Sequence, residues 1–261
     1  MYSLEHKKYL KNIKREKIII RTLQFIILLS IIFIWQIFAN TGVINTFITS
    51  SPKQILDTII KLHNENNLYH HIWITIYETL ISFSLGTIIG FIIASILWWN
   101  KHLAKVLEPY LTILNSLPKV ALGPIIIIWG GAGMNSIIIM ALFISVIITI
   151  INVLDGFNNT DANKIKLMES LKAKKYQIYF KLILPNSITT IISALKINIS
   201  MSLIGVIMGE FLVSKEGIGH LIMYGSQVFN LNLVMTGIIM LSILSALMYY
   251  IILFIEKRLT K

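Results

Sequence analysis

"MESLKAKKYQIYFKLILP", residues 168–185, interrupts a chain that is otherwise dominated by runs of Ile, Leu, Val, Met and Phe. It holds five Lys or Glu residues and closes on Leu184-Pro185. A stretch this polar cannot cross hydrocarbon. The apolar runs around it are near 20 residues long, the length that spans a layer of about 30 Å. The segment is therefore an extramembrane connection between two spans, and the rest of the chain can be read outward from it.

Six spans are predicted, at about 18–39, 72–99, 106–130, 134–154, 187–213 and 233–255. The expected fold class is an all-α integral membrane protein with six transmembrane helices and a cytoplasmic helical loop between spans 4 and 5. The composition agrees: 56% of the 261 residues are hydrophobic and 13% charged, where soluble domains carry about a quarter charged. The expected organisation is a cytoplasmic N-terminal segment at 1–17, a six-helix domain at 18–255 with its cytoplasmic loop at 156–185, and a cytoplasmic tail at 256–261. The first apolar run is too long for a signal-peptide core of roughly 7–15 residues, so it reads as an uncleaved span. There is no Cys, which excludes disulfides and thiolate metal sites.

The charges order the topology. Residues 1–21 hold seven Lys or Arg, the connection 100–105 two, the loop 155–185 six and the tail three. The connections on the other side hold only Lys53, Lys61 and Lys215. Positive residues stay on the cytoplasmic side, so eighteen against three places both termini and the 155–185 loop there, in a cell (plasma) membrane. The net charge of +11 is then a topology signal, and nucleic-acid binding is not expected.

Outside, "SSPKQILDTIIKLHNENN" (50–67) has serine before Pro52, a capping pattern, and apolar residues at helical spacing. A short amphipathic outer helix is predicted there. Ser82, Gly86, Gly90 and Ala94 form a stripe at intervals of four in span 2, and Gly205 and Gly209 continue the theme in span 5. Such stripes let membrane helices approach closely. Packing within one subunit is the favoured reading, and a contact between subunits is the alternative.

Chemistry is sparse. The chain has no GxxxxGK[ST] phosphate loop, no HExxH and no GxSxG elbow, so no catalytic or metal residue is assigned. His70 and His71 are adjacent and point apart on a helix. Charges inside a membrane cost roughly 2.5–3.5 kcal/mol on insertion scales and usually face a cavity or a partner. That singles out Glu210, with Glu78, Lys119 and Lys196 as lesser cases, since lysines can snorkel. Pro118 and Pro124 each remove a backbone donor, and freed carbonyls at membrane depth are tolerated where protein or water covers them. Pro118, Lys119, Pro124 and Glu210 are therefore the candidates for a translocation pathway. In the polar loop, the apolar pattern predicts two short helices with a bend at 172–175.

The sequence resembles the permease subunits of binding-protein-dependent ABC importers, specifically the nitrate/sulfonate/taurine branch. That family carries a cytoplasmic motif of Glu-Ala-Ala, three residues, Gly, nine residues, Ile, one residue, Leu-Pro. Counted back from Leu184-Pro185, the Ile position falls on Leu182, the Gly position on Lys172, and Glu-Ala-Ala on Lys166, Leu167 and Met168. "NSLPKVALGPIIIIWGGAG" (115–133), "SLIGVIMGEF" (202–211), "EGIGHLI" (216–222) and "SPKQILDTI" (51–59) are similar to other signatures of the branch. The likeness covers about 48–230.

The resemblance implies a pore formed by two permeases, expected as a homodimer. Two cytoplasmic ATPase subunits would dock on the motif loop, and an extracytoplasmic binding protein would deliver the solute. No cofactor is expected on this chain, since ATP is hydrolysed by the partner. Its ATPase-coupling residues would be Lys166, Leu167, Met168, Ser170, Leu171, Lys172, Ala173, Lys174 and Lys175, with Leu184 and Pro185 closing the motif. Two departures stand out. Lys166 replaces Glu and reverses a charge, which implies an acidic or hydroxyl-rich groove on the cognate ATPase. Lys172 replaces Gly, so either the bend adopts another geometry or the partner differs. Nitrate, taurine, alkanesulfonates, bicarbonate and pyrimidine-type vitamin precursors are the implied solutes. The alternative function is an ion-coupled carrier or intramembrane enzyme without an ATPase partner.

Overall fold

The computed structural model describes residues 4–65 and 67–259. The expectations for residues 1–3 and 260–261, at the ends of the two terminal segments, lie outside the described residues. Among the described residues the chain is helical, without strands. In order the helices are α1 (Leu4–Asn40), α2 (Thr46–Thr49), α3 (Pro52–Asn64), α4 (Leu68–Trp99) and α5 (Lys101–Ser116). A 3-10 turn (Lys119–Leu122) leads into α6 (Gly123–Gly130), then α7 (Met134–Asn158), α8 (Ala162–Ser170) and α9 (Lys175–Ile178). A π-helical turn (Tyr179–Ile183) precedes α10 (Leu184–Asn186), α11 (Ile188–Val213), α12 (Ile218–Gln227) and α13 (Leu231–Leu259).

Five helices are long and apolar enough to cross a membrane, and a sixth crossing is made if the bent pair α5–α6 counts as one span. That pair is where the structure departs from a simply kinked third span. The two halves meet at 88°, with Leu117 extended and Pro118 outside the helical region between them. Pro118 cannot donate to the α5 ladder, and the residue before a proline is pushed out of the helical region. Helix α5 therefore ends at Ser116, two residues before Pro118. Pro124, by contrast, sits in the first turn of α6, where a missing N–H costs nothing. Two other bounds move outward: α1 already begins at Leu4, and α4 at Leu68.

The core is the triplet α4, α7 and α11, with α7 packed against both neighbours. The small-residue stripe explains how. Ser82, Gly86, Gly90 and Ala94 are all buried on α4. A Cβ on Gly90 would lie 2.6 Å from Thr149 Cβ, and one on Gly209 would lie 2.8 Å from the Ile137 Cα. Gly86 and Gly205 meet Ser145 and Ala141 of α7 in the same way. The stripe is thus spent on packing within one subunit. Helices α12 and α13 pack together at the edge of this core, in a cluster with Ile199, Leu203, Ile218, Leu221 and Leu244. Helix α1 is different: its apolar window has no buried residue, and it touches the bundle through α3.

The amphipathic helix α3 forms as its sequence predicts. Ser51 Oγ accepts from Gln54 N at 3.3 Å, Pro52 opens α3, and Ile55 and Leu62 face inward.

Candidate functional site

The loop between α7 and α11 folds as two short helices around a tight turn. Asp161 caps α8 by accepting from Asn163 N at 2.8 Å. At the other end Ala173 N donates to Met168 O at 3.0 Å and Lys172 N to Glu169 O at 2.8 Å. This pair of bonds is the Schellman closure of a helix, which requires the residue after the C-cap to be left-handed. That residue is Lys172, with φ of 57°. The position aligned with the motif's glycine thus keeps a glycine-like backbone although it carries a side chain. The left-handed form costs an L-residue roughly 1–2 kcal/mol. Replacing Lys172 with Gly is expected to relax the turn by about 0.5–1 kcal/mol, after the extra chain entropy of glycine is subtracted. Slower amide hydrogen exchange across residues 168–174 would report it, while Lys172→Val should accelerate exchange there.

The loop has two faces. Ile165, Met168 and Ala173 turn inward, against the cluster of Ala94, Val153, Phe157, Ile178, Tyr179 and Ile183. Leu167 and Leu171 point away, 62% and 70% exposed. Lys164, Lys166, Ser170, Lys172 and Lys174 are exposed around them. The nine candidate coupling residues therefore separate: Met168 and Ala173 anchor the loop, and Lys166, Leu167, Ser170, Leu171, Lys172 and Lys174 form its outward surface. Lys175 does something else. Its ammonium donates to Trp99 O at 2.5 Å, at the C-terminal end of α4, where orphan carbonyls favour a cation. Leu184 packs on the same cluster, and Pro185 is exposed in the short α10.

The pathway candidates fall at two places. Pro118 and Lys119 lie at the break of the third span and Pro124 one turn beyond. Lys119 Nζ donates to Asn115 O at 2.8 Å, closing the last turn of α5 where the chain leaves the helix. Lys196, on α11, pairs with Glu256 of α13 at 2.6 Å.

Glu210 sits at the far end of α11, 1% exposed. Its carboxylate accepts from Thr75 Oγ1 at 2.6 Å and from Gly219 N at 2.5 Å, with His220 N as a further donor. Thr75 Oγ1 accepts in turn from Ile218 N at 2.8 Å, and His71 Nδ1 from Gly217 N at 3.0 Å. Four consecutive N–H groups opening α12 are thus taken up by α4 and α11. The chain reaches this geometry through Gly217, at φ of 96°. A Cβ on Gly217 or Gly219 would collide with the carboxylate. Sequence reasoning singled out Glu210 but not this capping role. The signal was present as Gly-Ile-Gly-His directly before an amphipathic run, with no Ser, Thr, Asp or Asn to cap it. Glu78, 3% exposed, lies beside Glu210 and borders an outer cleft of ≈ 620 Å³ with Ala132, Gly133 and Ser214.

Among the described residues no group of three or more His, Asp or Glu is placed to hold a metal. The arrangement has a broken membrane span, a helix α12 capped by its neighbours and a seated polar loop, which define a multi-pass membrane protein.

The comparisons with known proteins agree. The chain belongs to the family of binding-protein-dependent transport system inner membrane components, whose model matches residues 86–261. It is 28% identical over 231 residues to the putative aliphatic sulfonates transport permease protein SsuC of Bacillus subtilis, covering 88% of this chain and 84% of that protein. It is 26% identical to the formylaminopyrimidine transport permease protein ThiX of Halalkalibacterium halodurans, covering 74% and 76%. The inward-facing MetNI methionine ABC transporter shares its fold, with a TM-score of 0.65 at 20% identity, over 73% of this chain and 95% of that one.

Proposed function

We propose that this chain is the pore-forming subunit of an ATP-driven importer for a small organic solute of the sulfonate or taurine type. It would work as a homodimer with both termini and the 156–185 loop in the cytoplasm. The observation that carries the reading is the seating of α8. Its inward residues lock it to the core, while Leu167 and Leu171 stand exposed within a ring of lysines. A helix held in this way suits a cytoplasmic ATPase that pushes on it. The partner would hydrolyse the ATP, and this chain would hold no cofactor. The reversed charge at Lys166, reinforced by Lys164, Lys172 and Lys174, calls for an acidic groove on that ATPase.

Pro118, Lys119 and Pro124 line the path in this reading: the break at Pro118 frees backbone groups that need a polar lumen, and Pro124 opens the helix that follows it. Glu210 serves the path from behind by holding α12. A sulfonate-type solute is supported by relatives whose names state aliphatic sulfonates and taurine. A pyrimidine-type solute has its own support in ThiX. Thermal shift of the co-encoded binding protein with pentanesulfonate, taurine and formylaminopyrimidine separates them.

The docking test uses a chain with no native cysteine. Leu171→Cys should cross-link to a single-cysteine ATPase in the assembled complex, while the inward-facing Met168→Cys should not. An assembled complex with no cross-link from Leu171 would sink the assignment.

A further inference from the structure

We propose that α4 is a strut that transmits movement between the cytoplasmic loop and the outer helix α12, with Tyr179–Ser95 as its inner joint and Thr75 as its outer joint. The proposal rests on the reading of the loop as the ATPase-coupling element. Tyr179 and Thr75 are positioning residues in it.

The sequence connects the loop to α7 and α11, not to α4. The structure nevertheless grips α4 at its inner end. The Tyr179 hydroxyl shares a hydrogen bond of 2.7 Å with Ser95 Oγ. The ring of Tyr179 is 5% exposed, and its centroid lies 5.1 Å from Trp98 and 5.8 Å from Trp99. The Lys175 ammonium, besides its bond to Trp99 O, stands 5.9 Å from both indole rings, within reach of a cation–π attraction. Aromatic contacts and a charge-assisted bond thus join a loop and a helix that are far apart in sequence.

The outer end of α4 is gripped in the same manner. His71 and Thr75 take up the N–H groups of Gly217 and Ile218, and Thr75 holds Glu210. Between Thr75 and Ser95 the helix runs unbroken. Those twenty residues measure about 30 Å at 1.5 Å per residue, the thickness of the hydrocarbon core. An α-helix is stiff along its axis, and this one is keyed to α7 by its small-residue stripe. Tyr179 also packs on Phe157 of α7, at 5.6 Å between ring centroids, but its hydrogen bond is to α4, so a displacement imposed at Tyr179 reaches α12 along α4. Thr75 is fully buried, so neither joint lies on the exposed face of α8.

The experiment is carried out on the permease reconstituted in vesicles with its co-encoded ATPase. Tyr224, on α12 and 49% exposed, is replaced by Cys and carries an environment-sensitive fluorophore. Magnesium ATP with vanadate is the probe. Hydrolysis by the otherwise unaltered complex is measured first; a complex that assembles without hydrolysing overturns the importer reading rather than the strut. In a hydrolysing complex the fluorophore should shift on adding the probe. Tyr179→Phe and Thr75→Val should each keep basal hydrolysis within twofold and lose at least half of that shift. Because the joints act in series, the double variant should lose no more than the worse single one. Thr75→Ser should restore the shift. A full shift in either single variant, or losses that multiply in the double, overturns the strut. Tyr179→Phe is near-isosteric, so if Thr75→Val fails to fold the test is decided at the inner joint, where a full shift in Tyr179→Phe overturns the strut.

Discussion

Glu210→Ala should remove about 3–5 kcal/mol of stability, the cost of leaving several buried hydrogen-bond donors without their acceptor. Thr75 Oγ1, Gly219 N and His220 N all lose their acceptor at once. A buried donor left without its acceptor costs about 1–3 kcal/mol, and at a site only 1% exposed no bulk water replaces the lost oxygen. The glycines at 217 and 219 leave no side chain to fill the vacated space. The expected result is a melting transition at least 10 °C lower in detergent, with solute uptake below a tenth of wild type. Glu210→Gln retains one oxygen acceptor and should cost about half as much or less. A melting curve for Glu210→Ala that overlays the wild type would show that α12 does not depend on this cap.

The second large effect concerns the approach of α11 to α7. A Cβ on Gly205 would fall on the backbone of Ala141, which can give way only if the two helices part. Gly205→Ala should cost about 1–3 kcal/mol, the usual range for overpacking. Gly205→Leu should leave no folded permease by size-exclusion chromatography. Ser193→Leu places the same side chain on an exposed position of the same helix, and its elution profile should match the wild type. A folded Gly205→Leu protein would mean that α7 and α11 can separate without loss of the core.

The spans were legible because hydropathy accumulates over some twenty residues and survives local exceptions. So was the amphipathic α3, through Ser51 and Pro52. The break in the third span was legible only through Pro118 and Pro124. Pro118 marks where donors are lost but not how far the chain turns, which depends on what surrounds the break. In the polar loop, counting back from Leu184-Pro185 located the bend at Lys172, yet a lysine gives no sign that its backbone is left-handed. Glu210 was visible as a costly charge. Its partners, Thr75 and the 217–220 backbone, lie 135 and about nine residues away, beyond any local pattern. The Tyr179–Ser95 contact, 84 residues apart, was hidden for the same reason.

The π-helical turn at Tyr179–Ile183 also acts as a phase shifter. A π turn holds one residue more than a regular helical turn, and one extra residue rotates everything downstream by about 100°. The angular setting of α11 relative to α8 therefore depends on a residue count as well as on contacts. Shortening this stretch by one residue would preserve its hydrophobicity and its Leu-Pro ending. It would still turn the outward face of α8 by more than a quarter of a circle.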